Sequence, residues 1–365
     1  MDNKIDNKWL RRLHDSSLLE FVDNNYDRIT NVKDPDFYMS FIVRLASLKR
    51  TFKAISNELK TRKRNSVKNR LFITLNKFFY TADEMSKLIK DDILLKRTKD
   101  FFREYLSEFI YKSKFFLMGY KKPNGYPGDY TMLEIMYNNK PNSERIGYAL
   151  DLYFLNDGYV QVVRNRKEWM KKWLIQYLRQ SEEPSINVLN LACGSCREIR
   201  EMLLEANHIN KRVNMTLVDQ DFETLQFAKS KMKQLPNWLN LRFVRADVLH
   251  YVIKSMDTYK ARKYELIYSI GLADYLPDSY LISLINHSFD VLQRGGTLII
   301  AHKNVRQYSA PVADWMCDWK FIPRDKLEFL KIVKRSLPKG SYRLRSILAN
   351  EKLVYYIIIT KDNND

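Results

Sequence analysis

Residues 186–196 read Ile186-Asn187-Val188-Leu189-Asn190-Leu191-Ala192-Cys193-Gly194-Ser195-Cys196, and this stretch decides the fold. An apolar strand runs into a tight turn at 193–196, and a helical pattern begins at Arg197-Glu198-Ile199. A strand, turn and helix in that order bring bare backbone up to a ligand at a helix N-terminus, the opening element of a nucleotide-binding doubly wound sheet. The turn holds one glycine where dinucleotide folds carry two or three, so its reading depends on the strands downstream of it.

A second apolar strand, 213–218, ends at Asp219, placed to accept hydrogen bonds from ribose hydroxyls. A third, 241–244, leads to Asp247, spaced with the Val248 backbone to lie beside an adenine. A fourth, 266–270, opens into Gly271-Leu272-Ala273-Asp274-Tyr275, and a fifth, 297–301, comes after a predicted turn at Gly295-Gly296. A last helix over 324–336 precedes two strands, 342–348 and 353–360, that turn at Ala349-Asn350-Glu351-Lys352. The expected fold class is α/β: a Rossmann-like, seven-stranded sheet over 148–365, preceded by a helical cap over 1–147.

Composition bounds the remaining readings. The 365 residues suffice for one large or two ordinary domains with a buried core. No apolar run approaches the roughly 20 residues of a membrane span, and the first residues lack a signal-peptide pattern. The chain is therefore expected to be cytoplasmic. Three cysteines argue against a disulfide framework. Cys193 and Cys196 form a C-x-x-C, but a structural zinc site needs four ligands and Cys317 is the only further cysteine. No metal is expected.

The net charge is +19, from 62 Lys and Arg against 43 Asp and Glu. Residues 151–300 hold 20 basic and 17 acidic residues, so the excess lies elsewhere, at 51–70 (seven against one) and 301–350 (eleven against four). Such patches suit nucleic acid, an anionic surface or an acidic substrate, or form a solvated face.

The first 118 residues carry helical periodicity: Leu18, Leu19, Phe21 and Val22 on one face, Phe37, Phe41, Ile42 and Leu45 on another, then Leu71, Phe72, Leu75, Phe78 and Phe79. The most amphipathic stretch is Phe101, Phe102, Tyr105, Leu106, Phe109 and Ile110, flanked by lysines and arginine. It fits a bundle core better than a membrane-surface helix. Turn chemistry concentrates at 121–130, Lys-Lys-Pro-Asn-Gly-Tyr-Pro-Gly-Asp-Tyr. A linker has no need of aromatic and acidic residues between its glycines, so the loop reads as a lid.

One glycine in the turn, an acid after strand two and an aspartate after strand three resemble the class I S-adenosylmethionine (SAM) methyltransferases more than NAD enzymes. More specifically, Gly125-Tyr126-Pro127-Gly128-Asp129-Tyr130 is similar to the Gly-Tyr-Ala-Gly-Asp-[Phe/Tyr] signature of bacterial extracellular-factor 3-hydroxypalmitic acid methyl ester biosynthesis proteins. Arg164-Asn165-Arg166, Leu191-Ala192-Cys193-Gly194, Asp219-Gln220-Asp221, Tyr268-Ser269-Ile270-Gly271-Leu272-Ala273-Asp274-Tyr275-Leu276 and Asp318-Trp319 resemble further segments of that family in the same order. The resemblance spans about residues 119–330. Cys196, Ala273 and His302-Lys303-Asn304 depart from it, the last two beside the expected substrate side. It implies carboxyl O-methylation of a hydroxylated fatty acid.

The expected cofactor is SAM. Ala192, Cys193, Gly194, Ser269 and Gly271 should border its methionine part, Asp219 and Gln220 its ribose, and Asp247 and Val248 its adenine. Arg166 is a candidate for its carboxylate, or a solvated helix arginine. Asp221 suits an N-cap better than Asp219 does. The chemistry is expected after strands four and five, at Asp274, Tyr275 and His302, with Tyr126 folding over. Asp129, Tyr130, Asn304 and Trp319 are expected to meet a small-molecule or fatty-acyl substrate. A carboxylate acceptor needs no base. An amine or hydroxyl would, and His302 is then the candidate, or else a satisfied structural histidine. Two other readings are methylation of RNA, DNA or protein through the basic patches, and a SAM-binding regulatory protein without turnover. No Asn/Asp-Pro-Pro-Tyr/Phe motif stands after strand four, which counts against base-amine methylation.

Overall fold

The computed structural model describes residues 7–60, 64–126, 128–206, 209–258, 263–304 and 308–363. The chain forms two compact units: Met1–Pro127 with Asn138–Asp157 and Ser309–Lys320, and Gly128–Tyr137 with Gly158–Tyr308 and Phe321–Asp365. Residue 147 falls inside the second stretch of the first unit.

The first unit is helical. Its longest helices are Pro35–Glu58, Arg64–Leu88 and Asp92–Tyr105. Asp34 and Asp91 cap two of them through side-chain oxygens that accept from Phe37 N and from Ile93 N and Leu94 N. The apolar spacing read along the chain becomes one aromatic core. Phe41, Phe78, Phe102 and Trp315 meet with ring centroids 5.2–5.5 Å apart. Within the basic amphipathic stretch, Phe102, Tyr105, Leu106, Phe109 and Ile110 are all buried, which makes it bundle core. Phe101 stacks on Phe21 at 4.3 Å. Among the described residues no helix is long and apolar enough to cross a membrane.

The second unit is a seven-stranded sheet: β1 Ser185–Leu191, β2 Arg212–Asp219, β3 Leu239–Arg245, β4 Tyr264–Ser269, β5 Leu292–Lys303, β6 Tyr342–Leu348 and β7 Val354–Lys361. Their order is β3-β2-β1-β4-β5-β7-β6. The first five run parallel, while β7 lies antiparallel between β5 and β6. This is the Rossmann-like seven-stranded sheet that the sequence predicts, with its last two strands forming the expected hairpin. The strand order reverses between β1 and β4, the switch point outside whose carboxyl ends doubly wound sheets bind ligands.

Apolar runs in β1, β4 and β7 are buried on both faces, as a sheet sandwiched between helices requires. On one face, Leu174, Ile199, Met202 and Leu225 pack against Val188, Met215 and Leu266. On the other, Val252, Leu284, Phe289, Phe329 and Val333 pack against Leu189, Ile267 and Ile357. One element differs from expectation. Gly295 and Gly296 lie within β5 and not ahead of it. Register with β4 shifts there, Gly295 takes φ +74°, and a Cβ on Gly296 would stand 2.8 Å from the Gln293 carbonyl oxygen. The pair lies in an irregularity of β5, between its pairings at Leu292 and Thr297.

Candidate cofactor and acceptor site

The candidate residues lie in the sheet unit, except for Tyr126 and Trp319. β1 ends in a turn in which Ala192, Gly194 and Cys196 all take φ between +52° and +57°. Two of those three residues are not glycine, a conformation that costs about 1–2 kcal/mol each and persists only where surroundings impose it. The surroundings are visible. Cys193 N donates to Val218 O at 3.0 Å, and Cys196 N to Cys193 O at 3.1 Å. Gly194 N donates to Asp219 Oδ2 at 2.9 Å, while Asp221 N donates to Oδ1 at 3.1 Å. Asp219, the last residue of β2, is 7% exposed, and burial pushes its carboxyl above the ordinary range against the pull of those amides. Both thiols of the C-x-x-C are free and buried, and burial pushes Cys193 well up. Among the described residues no cluster of metal-ligating side chains is found.

The neighbouring acids divide their work. Asp221 caps the helix Phe222–Lys231, accepting from Glu223 N at 2.9 Å and Thr224 Oγ1 at 2.8 Å. Asp247 is exposed and caps Val248–Thr258 by accepting from His250 N at 2.9 Å, with Val248 buried beside it. The exposed Gln220 presents its backbone oxygen to Arg245 Nε at 3.4 Å. Ser269 Oγ donates to Leu191 O at 2.9 Å, tying the tips of β4 and β1 together.

The segment 128–137 packs on this same turn. In the helix Tyr130–Asn138, Leu133 comes within 3.8 Å of where a Gly194 Cβ would stand. Glu134 accepts from Ser195 Oγ at 2.6 Å, Arg200 Nη1 at 2.8 Å and Arg197 Nη1 at 3.0 Å. The Tyr130 ring lies 4.8 Å from Phe227. Asp129 is buried and caps the helix, Oδ1 accepting from Met132 N at 3.0 Å and Thr131 Oγ1 at 2.6 Å.

After β4 and β5 the side chains bind one another. Arg166, on the helix Gly158–Gln180, is buried and donates from Nη1 to Asp274 Oδ2 at 3.1 Å, with Nη2 3.5 Å from where a Gly271 Cβ would stand. It is no solvated helix arginine. Asp274 Oδ1 accepts from Lys303 N at 2.9 Å and lies 3.5 Å from His302 Nδ1. Burial raises the Asp274 carboxyl, but His302 and Arg166 outweigh burial and hold it below the usual range.

His302 itself is 0% exposed. Its Nδ1 is 2.8 Å from Lys303 O, so that nitrogen carries the proton; Nε2 is 3.5 Å from Arg324 Nη1, and the ring stacks on Tyr355. Burial holds its pKa below 6.5. Both ring nitrogens are therefore turned to protein atoms.

Tyr275 is half-buried against Phe321 at 5.6 Å and hydrogen-bonds Tyr159. Asn304 turns to the β6–β7 connection, Nδ2 donating to Lys352 O at 2.8 Å. Tyr126 and Trp319 belong to the helical unit; Tyr126 is half-buried and Trp319 fully buried.

Two groups escape sequence reading. Glu134 sits mid-helix with no motif around it. Arg324 looks like a helix start, yet it is 3% exposed and donates to Ala273 O at 3.1 Å, Asp278 Oδ1 at 2.8 Å and Leu276 O, shaping the loop after β4. A lone arginine beside a proline carries no signal that could have revealed these bonds.

No family model and no curated protein matches the chain. Solved structures with similar folds include a possible exported protein from Bordetella parapertussis (15% identity, 90% of this chain and 99% of that one, TM-score 0.49). Magnesium protoporphyrin IX methyltransferase from Synechocystis, with bound SAM, gives 12% identity over 56% of this chain and 85% of that one, TM-score 0.40. A SAM-dependent methyltransferase from Clostridium acetobutylicum gives 14% over 56% and 96%, TM-score 0.40. At scores below 0.5, the fold rests on the strand order itself and not on these likenesses.

Proposed function

We propose that the chain is a SAM-dependent methyltransferase acting on a small or fatty-acyl carboxylate. The observation that carries this is Asp219: a carboxylate at the tip of β2, anchored through one oxygen to the Gly194 amide, at the switch point of the sheet. The residues present fit a phosphate-free nucleoside with a cationic centre. Side chains on Ala192, Cys193, Ser195 and Cys196 deny a pyrophosphate the bare backbone it needs. The strand tips carry Asp219, Asp247 and Asp274, whose charge repels phosphate and suits a sulfonium.

In this reading Asp219 holds the ribose diol, Asp247 and Val248 border the adenine, and Arg166 uses donors not engaged by Asp274 for the cofactor's carboxylate. When bound, the cofactor supplies an electrophilic methyl group on sulfur. The chain's own part is positioning and exclusion of water. Asp274 holds Arg166 in place, and Arg324 holds the 273–276 loop on which Tyr275 sits. The sealed His302 favours an acceptor that is already an anion, since a carboxylate needs no proton removed.

Calorimetric titration of SAM and S-adenosylhomocysteine into the protein and its Asp219→Ala variant tests the cofactor. Micromolar binding lost in the variant is expected, and no binding to the intact protein refutes the reading. Transfer of a labelled methyl group from SAM to hydroxy fatty acids, giving a base-labile ester, tests the acceptor; label appearing only in nucleic acid or protein refutes it.

A further inference from the structure

One buried polar atom beside the turn is left over. Asp129 is 1% exposed, and its Oδ1 is spent on Met132 N and Thr131 Oγ1, whereas Oδ2 is fully enclosed with no hydrogen-bond partner. Withholding a partner from a buried carboxylate oxygen is costly. An N-cap needs only one oxygen, which serine, threonine or asparagine supplies as well, so capping accounts for Oδ1 and leaves Oδ2 unexplained.

Its position narrows the choice of partner. One helical turn onward, Leu133 packs on Gly194, and the next residue, Glu134, takes Ser195 Oγ. Tyr130, directly after Asp129, lies 4.8 Å from Phe227 on the helix that Asp221 caps, which brings this segment to the helix following β2. Gly128 takes φ +78°, a left-handed step just before Asp129. A buried carboxylate oxygen with no partner excludes an anionic group and calls for a hydrogen-bond donor.

We infer that Asp129 is a cofactor contact, its Oδ2 accepting from a donor group on the bound nucleoside, either the α-ammonium of the amino-acid end or a ribose hydroxyl. This rests on the SAM reading. It gives Asp129 a role in binding: the cap on the helix Tyr130–Asn138 fixes one carboxylate oxygen and leaves the other for the ligand.

The test is calorimetry on the full chain with S-adenosylhomocysteine and 5′-methylthioadenosine, which keeps the ribose and lacks the amino-acid end. Asp129→Asn and Asp129→Ser both retain a cap for Met132 N and should melt like the parent without ligand. Each should bind S-adenosylhomocysteine about ten- to a hundredfold more weakly, the range for a lost hydrogen bond to a charged group. Unchanged methylthioadenosine binding assigns the ammonium, and an equal loss assigns the ribose. Parental affinity for S-adenosylhomocysteine in both variants overturns the inference. So does a binding loss matched by a lower melting point in both, which returns Asp129 to capping alone. If the unmutated chain binds neither ligand, the cofactor reading itself has failed, a result no variant can mimic, and the inference falls with it.

Discussion

The two halves of the sheet's carboxyl edge are built on opposite plans. Over β1 and β2, the two buried aspartates are held chiefly by backbone amides, Gly194 N and Asp221 N on Asp219 and Met132 N on Asp129, while Glu134 beside them is held by side chains. Over β4 and β5, side chains are held chiefly by one another: Asp274 by Arg166 and His302, His302 by Arg324, Arg324 by carbonyls of the adjoining loop. Amides fixed by a turn hold a carboxylate rigidly and still leave it lone pairs that they do not use. A knot of side chains consumes its own donors and acceptors, so its value is rigidity. The first half is thus the better place to look for ligand contacts, and the second for residues that shape the acceptor's walls.

That contrast breaks most visibly at Asp274. Asp274→Ala leaves Arg166 buried without its carboxylate, and by the usual cost of breaking a buried pair the chain should lose about 3–5 kcal/mol, read as a lower midpoint in urea. A loss below about 1 kcal/mol, no more than an exposed ion pair gives, would show that the knot is not structural. Asp219→Ala should behave in the opposite way. We expect S-adenosylhomocysteine affinity to fall by about a hundredfold or more, with a smaller loss of stability than Asp274→Ala causes. Equal stability losses in the two variants would erase the distinction between the halves.

Asp247→Ala removes an exposed N-cap and should cost about 1 kcal/mol of thermal stability. A larger drop in adenosine affinity than in stability would add Asp247 to the ligand side. The smallest effect belongs to His302. Its folded pKa lies below the unfolded value of 6.5, so the unfolded chain binds the additional proton and stability declines as the pH falls below about 6.5. His302→Gln should flatten that decline between about pH 7 and 5 in melting scans, and a steeper decline would contradict the assignment.

Much of this edge was readable in the sequence because strand tips obey spacing. Asp219, Asp221 and Asp247 fall where hydrophobic runs end, and a run's end is visible without coordinates. The bundle was readable for the same reason, since Phe41, Phe78 and Phe102 recur at helical intervals. What spacing cannot show is which distant groups meet. Arg166 and Asp274 are 108 residues apart, Glu134 and Arg200 66, and no periodicity links them. The Gly295-Gly296 pair misled for a related reason. A strand irregularity and a turn use the same residues, and only pairing with β4 places them inside β5. For His302 the sequence left two readings, a base or a satisfied structural histidine, because spacing does not show that β7 and the helix Lys326–Ser336 bring Tyr355 and Phe329 against its ring.

The short helix Pro311–Cys317 comes after five strands of the sheet in the chain, yet its Trp315 belongs to the aromatic core of the helical unit, 5.2 Å from Phe41 and 5.5 Å from Phe102. A gene fragment ending at residue 157 would encode the bundle without its central tryptophan, leaving a hole where a large side chain belongs. The helical half is therefore not a portable module. Its core is completed by a segment that the chain reaches only after β5, so the helical unit cannot be cut out as one contiguous piece.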